Sequence, residues 1–154
     1  MKVISIIQPW ATLIAIGEKQ FETRSWATKY RGELAIHASK KIDKAACKTY
    51  PFDEALETHG YKTENLPTGV IIAVAKLVDC HKVLTNYGDS AKISTIDGLI
   101  DWNEYVFGDY SPGRFAWELS DVKMLDKPIP AKGQLGLWNY RGGRLPYDRY
   151  SKSR

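Results

Sequence analysis

A small mixed β-barrel with short helices packed at its ends, of the α+β class, is the fold these 154 residues predict. Strand-like segments outnumber helical ones, and the stretches between them are irregular rather than a repeated helix. One apolar run, Gly69 to Leu84, is long enough to serve two parts of a barrel. A doubly wound sheet would instead alternate its strands with helices of similar length. Hydrophobic residues make up 44% and charged residues 26%, values that suit one folded core and exclude the disordered, collagen-like and coiled-coil classes.

Lys2 to Ile7 reads as the first strand. The Gln8-Pro9-Trp10 corner then starts a short helix, because proline fits the first helical position, and Gly17 ends it. Lys19 to Ser25 has the period of a strand, with Lys19, Phe21, Thr23 and Ser25 on one side and Gln20, Glu22 and Arg24 on the other. Phe21 is expected to point inward. A regular strand would set Lys19 opposite Glu22 and Arg24, and a bulge between Gly17 and Gln20 would reunite them. Lys29 to Gly32 is a turn, and Glu33 to Ser39 is a strand with Leu34 and Ile36 opposed to Ala35 and His37. Asp43 caps a short helix that Pro51 terminates, and Phe52 to Thr58 is a second helical piece ending before Gly60. After the long Gly69 to Leu84 strand comes an acidic loop carrying Trp102, Tyr105 and Phe107. Phe115 to Leu119 and Val122 to Leu125 then form a strand or bulged strand, Pro128 and Pro130 break it, and Gln134 to Trp138 is the last strand. Trp117 and Trp138, on apolar strands, are assigned to the core. The tail after Gly142-Gly143 is expected to be mobile, with Leu145, Pro146 and Tyr147 available to dock on the body.

Charge is distributed unevenly. Up to Tyr140 basic and acidic residues balance, whereas Arg141, Arg144, Arg149, Lys152 and Arg154 face only Asp148 in the tail. From Arg24 to Lys48 seven bases stand against Glu33 and Asp43, which makes this segment a candidate anion-binding surface. Asp97, Asp101, Glu104 and Asp109 form an acidic stretch, so the uniform basic face of a duplex-DNA binder is not predicted. The two cysteines, Cys47 and Cys80, read as buried free thiols, and the scattered His37, His59 and His81 do not form a zinc-ligand pattern. The longest apolar run, Val70 to Ala75, falls far short of the roughly 20 residues a membrane span needs. Gln8 and Pro9 interrupt the apolar opening that could pass for a leader, so a cytoplasmic protein with an intact N-terminus is expected.

Five separated segments carry a resemblance. Ser5-Ile6-Ile7-Gln8-Pro9-Trp10-Ala11, Gly17 to Trp26, Tyr30 to Ser39, Gly113 to Leu119 and Lys132 to Trp138, in that order, closely resemble the ASCH domain family of the PUA-like superfamily. The likeness spans nearly the whole chain and implies an ASCH domain over 1–140 followed by a basic tail over 141–154. It further implies a PUA-like β-barrel with a cleft for single-stranded RNA or a modified nucleotide. The family signature Gly-x-Lys-x-x-(Glu/Thr)-x-Arg falls on Gly17, Lys19, Glu22 and Arg24. One branch hydrolyses the acyl amide of acetylated cytidine with a lysine and a threonine. Here the lysine is Lys19, but the threonine position is Glu22, and Thr23 is one residue out of register and therefore on the other face of a strand. Other members resemble nucleases, where Glu22 would suit an acid, a base or a metal ligand.

The leading expectation is thus an RNA- or nucleotide-binding module. Its cleft is expected to be formed by Gln8, Trp10, Arg24, Ser25, Trp26, Arg31, His37, Ser39 and Lys40, with Lys19 and Glu22 as the catalytic pair if the protein is an enzyme. Aromatic side chains beside cations suit a single strand, since bases stack on indoles and Arg24 offers a planar fork to a phosphate or base edge. The alternatives are a hydrolase acting on RNA or on an acylated nucleoside, and an adaptor whose basic segment docks on an acidic protein. No cofactor is expected, and a divalent metal would enter only in a nuclease.

Overall fold

The computed structural model describes residues 1–143 and 145. In chain order it contains β1 (Lys2–Gln8), α1 (Trp10–Ala15), β2 (Phe21–Arg24), β3 (Gly32–Ile42), α2 (Lys44–Cys47), α3 (Phe52–Thr58), β4 (Val70–Asn86), β5 (Ala91–Ile93), α4 (Trp102–Tyr105), β6 (Phe115–Pro130) and β7 (Leu137–Asn139). The strands form one mixed sheet in the order β2-β6-β4-β3-β1-β7, with β5 paired to β4. Strands β1 and β3 are parallel, and the other pairs are antiparallel.

Alternation along the central strands places apolar side chains on both faces. Ile4 and Ile6 of β1 join Leu34, Ile36 and Ala38 of β3 on the face covered by Ala11, Ile14 and Ala15 of α1, where Trp117 is also buried. Val3 and Ala35 pack on the opposite face with Ile71, Val74, Leu125, Trp138 and Leu145. Burying one large apolar side chain contributes roughly 1.5–3 kcal/mol, so these two layers supply most of what holds the sheet. Leu145 docks as expected, while Arg144 and the residues from Pro146 to Arg154 lie outside the described set.

The sheet is strongly curved. Four pairing steps separate β2 from β1, which in a flat sheet is roughly 19 Å at about 4.8 Å per step. Yet one guanidinium nitrogen of Arg24, at the end of β2, donates to the carbonyl oxygen of Ser5 on β1 at 2.8 Å. An arginine side chain spans well under half of the flat distance, so the sheet curls until its first and fifth strands face each other. Pairing stays open there: among the described residues, backbone hydrogen bonds do not close the barrel, and the α+β class stands with a seam between β1 and β2.

Local differences from the expectation have local causes. α1 ends in a turn with Gly17 at φ +86°, and both Glu18 and Lys19 donate their amides to Leu13. That turn takes Lys19 out of β2, which starts only at Phe21, so no bulge is involved. β6 continues through Pro128 and Pro130, because β2 pairs only with Phe115–Glu118 and the proline end has no strand on its other side. β7 is shorter than expected, at three residues. Cys47 is buried, but Cys80 is only partly so. Asp43 caps α2 as expected, accepting from the Ala46 amide.

Gln8 illustrates how the first corner is held. It is 0% exposed, and its amide nitrogen donates to Thr12 Oγ1 and to the Pro67 carbonyl, each at 2.8 Å, while its oxygen accepts from the Thr12 amide. Gln8→Ala leaves these buried groups without partners, at roughly 1–3 kcal/mol for a group of this kind. Chemical unfolding of this variant is expected to show a loss of about 2–3 kcal/mol and a Tm lower by roughly 4–10 °C.

Candidate functional site

A two-lobed groove follows the seam. The first lobe, about 510 Å³, lies between Ser5–Ile7 of β1 and Glu22–Trp26, and is completed by Trp10, Phe52 and the segment Val106–Asp109. The second, about 960 Å³, runs past His37, Ser39 and Lys40 to the 130–136 loop. Ser5, Ile7 and Arg24 line both lobes.

Aromatic rings build the wall of the first lobe. Trp26 is 36% exposed, stands edge-on to the buried Trp117 at 4.8 Å and 89°, and accepts the Trp117 indole N–H on its carbonyl at 3.3 Å. Trp10 contacts Phe52 edge-on at 5.7 Å, and Phe52 contacts Phe107 in the same way at 5.1 Å. The rings are thereby fixed before any ligand arrives, which limits the entropy lost on binding.

Charged groups line this lobe through Glu22 and Arg24 and continue behind it through Lys19 and Glu104. Arg24 donates to the Ser5 carbonyl and, at 3.1 Å, to Glu22 Oε2, while its buried Nε has no hydrogen-bond partner. Lys19 is 1% exposed, and its Nζ also has no partner. Burial pulls the Lys19 ammonium below its usual range; the Glu22 and Glu104 carboxylates act against that shift, and Arg24 acts with it. Glu104 on α4 accepts the amides of Gln20 at 2.7 Å and Phe21 at 3.3 Å. Burial raises its carboxyl above the ordinary range, with Lys19 pulling the other way. The buried Tyr110 hydroxyl, also without a partner, is pushed up by desolvation and by the Glu104 and Glu22 carboxylates. Arg114 and Asp109 pair at 3.4 Å on the lobe's outer side, where Arg114 also donates to the Thr23 carbonyl.

In the second lobe, His37 is 1% exposed and uses both ring nitrogens. A carbonyl only accepts, so the 2.7 Å contact to Ala131 makes Nε2 the donor, and Nδ1 accepts the Ser5 hydroxyl at 3.0 Å. Ser5 Oγ in turn accepts the Trp138 indole N–H at 3.1 Å. The loop crosses this relay so closely that a Cβ on Gly133 would stand 2.8 Å from His37 Cε1 and 3.0 Å from Ser5 Oγ. Only glycine fits there without displacement.

The groove gathers Trp10, Glu22, Arg24, Ser25, Trp26, His37, Ser39 and Lys40 from the candidate residues. Three stand apart. Gln8 is engaged at the start of α1, and Lys19 lies buried, lining neither lobe. Arg31 is directed to the carbonyls of Thr28 and Tyr30 and to Asp79. Arg114, Ser5 and Lys132 also line the groove, and Glu104, which lines neither lobe, holds the Gln20 and Phe21 amides at the start of β2; none of the four was a candidate from the sequence. The signal for Glu104 was a carboxylate set among aromatic residues; nothing local marked Ser5. No helix among the described residues is long and apolar enough to cross a membrane, and no three of their His, Cys, Asp or Glu side chains cluster in a way that could hold a metal ion.

Fold and groove together define a single curled α+β sheet domain with a two-lobed groove along its unpaired seam. The model of the ASCH domain matches residues 4–129, and the chain belongs to the ASCH domain family. It is also similar to the human protein Activating signal cointegrator 1, at 31% identity over 86 residues. That match takes in 50% of this chain and only 14% of the human protein, so the chain corresponds to a small part of that relative.

Burial holds His37 below the ordinary imidazole value, so the folded chain resists a proton that the unfolded chain accepts. The stability His37 contributes is therefore complete above about pH 6.5 and declines as the pH falls toward its folded value. The stability gap between the native chain and His37→Asn is expected to narrow between pH 7 and pH 5 in guanidinium titrations. Parallel profiles would show that the relay does not hold the ring neutral.

Proposed function

We propose that this chain is a PUA-like RNA- or nucleotide-binding module whose ligand enters the β1–β2 seam. The observation that carries the reading is the Arg24 guanidinium at the meeting point of the lobes, in a first lobe that Trp10 and Trp26 also line. An unstacked base has a π-face for Trp10 or Trp26, a contact worth roughly 1–3 kcal/mol, and its phosphate has the fork of Arg24. A recessed groove with carboxylates in its first lobe favours a single strand, whose bases are free to turn in, over duplex DNA.

Arg24→Lys keeps the charge and loses the planar fork. Its affinity for short single-stranded RNA is expected to fall by about 1–3 kcal/mol in an anisotropy titration. A thermal melt of the same variant separates this from loss of the Ser5 contact: a large drop in Tm with unaltered affinity would reverse the assignment from recognition to scaffold.

A hydrolytic use of the same site is the second reading, and the unpartnered Lys19 ammonium behind Glu22 is what favours it. Glu22 lines the lobe and Lys19 does not, so Glu22 would meet substrate and Lys19 would act through it. Purified protein offered acetylated cytidine or RNA would then turn over. Glu22→Gln and Lys19→Met would each abolish turnover with the fold retained, and activity surviving both would belong elsewhere.

A further inference from the structure

We infer that the natural ligand is a short strand read across both lobes, with its backbone phosphates in the second, and not a free nucleoside or mononucleotide held in the first. The inference rests on the binding function proposed above and specifies its ligand.

The lobes differ in charge. The first contains Arg24 and Arg114 but also Glu22 and Asp109, two cations against two anions. The second contains Arg24, Lys40 and Lys132 with no aspartate or glutamate in its lining. A polyanion therefore gains most in the second lobe, whereas a base, uncharged and flat, gains most from the rings of the first. Arg24 serves both, and its guanidinium already lies against Ser5, which the lobes share.

Size points the same way. Each lobe alone falls within the roughly 300–1,000 Å³ typical of a small-molecule site, so the two joined have room for more than one nucleotide. At the far rim the loop turns through Gly136, at φ +65°, and leaves Leu135 98% exposed. An exposed leucine at the end of a cationic channel offers an apolar rest for a following base. Lys40 lines this lobe beside Gly69, its stem 3.6 Å from where a Gly69 Cβ would sit. An acidic peptide would find the same cations, but nothing in it would use the rings of the first lobe.

The test is a length series. Oligouridylates and oligoadenylates of one to six nucleotides are titrated against the full chain, together with Lys132→Ala, Lys40→Ala and a hexaglutamate peptide. Affinity is expected to climb steeply from one to three or four nucleotides and then level. Each lysine variant is expected to weaken the longer strands by roughly fivefold or more. Each is also expected to flatten the slope of log affinity against log salt by about 0.7 for every phosphate it leaves without a cation. Trp26→Ala weakens every length. Mononucleotides binding as tightly as hexamers, with both lysine variants silent, would overturn the two-lobe reading and leave the binding function standing. Hexaglutamate matching the RNA hexamer would overturn it in favour of an acidic protein partner. No binding by any strand at millimolar concentration would remove the binding function itself.

Discussion

The contact between the Arg24 guanidinium and the Ser5 carbonyl is the constraint on which the groove depends. Backbone hydrogen bonds carry the sheet from β2 to β7 and leave β1 and β2 unpaired with each other. If those two strands paired directly, the seam would be filled by backbone and no lobe would form. Without a bridge, nothing would fix their separation. A charged side chain that reaches across sets a gap wider than a β-ladder and holds it, and Glu22 steadies that side chain from its own strand. The same atoms that shape the cavity are thus the ones a ligand meets first.

Behind this bridge lies an arrangement that packing alone would not select. Lys19, Glu22 and Tyr110 are buried beside the half-buried Glu104, and two of them, Lys19 and Tyr110, have polar atoms without partners. An unsatisfied buried polar atom is destabilising by roughly 1–3 kcal/mol, more when charged. Well-packed apolar residues would do as well or better for stability. The surrounding layers are ample enough to carry this burden, since Trp117, Ile4, Leu34 and Ile36 are almost completely buried beside it. Local instability gathered behind Glu22, which lines the groove, within an otherwise saturated core, is the distribution expected where chemistry or recognition is retained at the expense of stability.

What could be read from the chain follows from how far apart the interacting residues lie. β1, β3 and the long β4 were visible because alternation is a local property, and so was the Asp43 cap, three residues from the amide it accepts. Lys19 was misplaced on a strand because the turn after Gly17 folds back to Leu13, and Glu104, one of the charges that act on it, is far along the chain. The prolines of β6 suggested a break because their tolerance depends on having no neighbour on one side, a fact about sheet order. Much of the groove was legible through Trp10, Glu22, Arg24, Trp26 and His37, which fall in dense, unusual stretches. Gln8 was assigned to it from the same stretch, yet its partners Thr12 and Pro67 draw it inward. Glu104 meets Gln20 across 84 positions of sequence, a distance over which periodicity says nothing.

The outer side of β2 has one more consequence. This strand is the edge of the sheet, and an edge with free amides and carbonyls invites another chain to add a strand. Here the Glu104 carboxylate occupies the Phe21 amide and the Arg114 guanidinium occupies the Thr23 carbonyl, so side chains of the 104–114 segment stand in for the missing neighbour. Side chains satisfy the edge without presenting a new one, as a further strand would. The acidic segment therefore insulates the groove-forming strand against self-association, and the protein can keep a short, charged edge strand at its site without offering a template for aggregation.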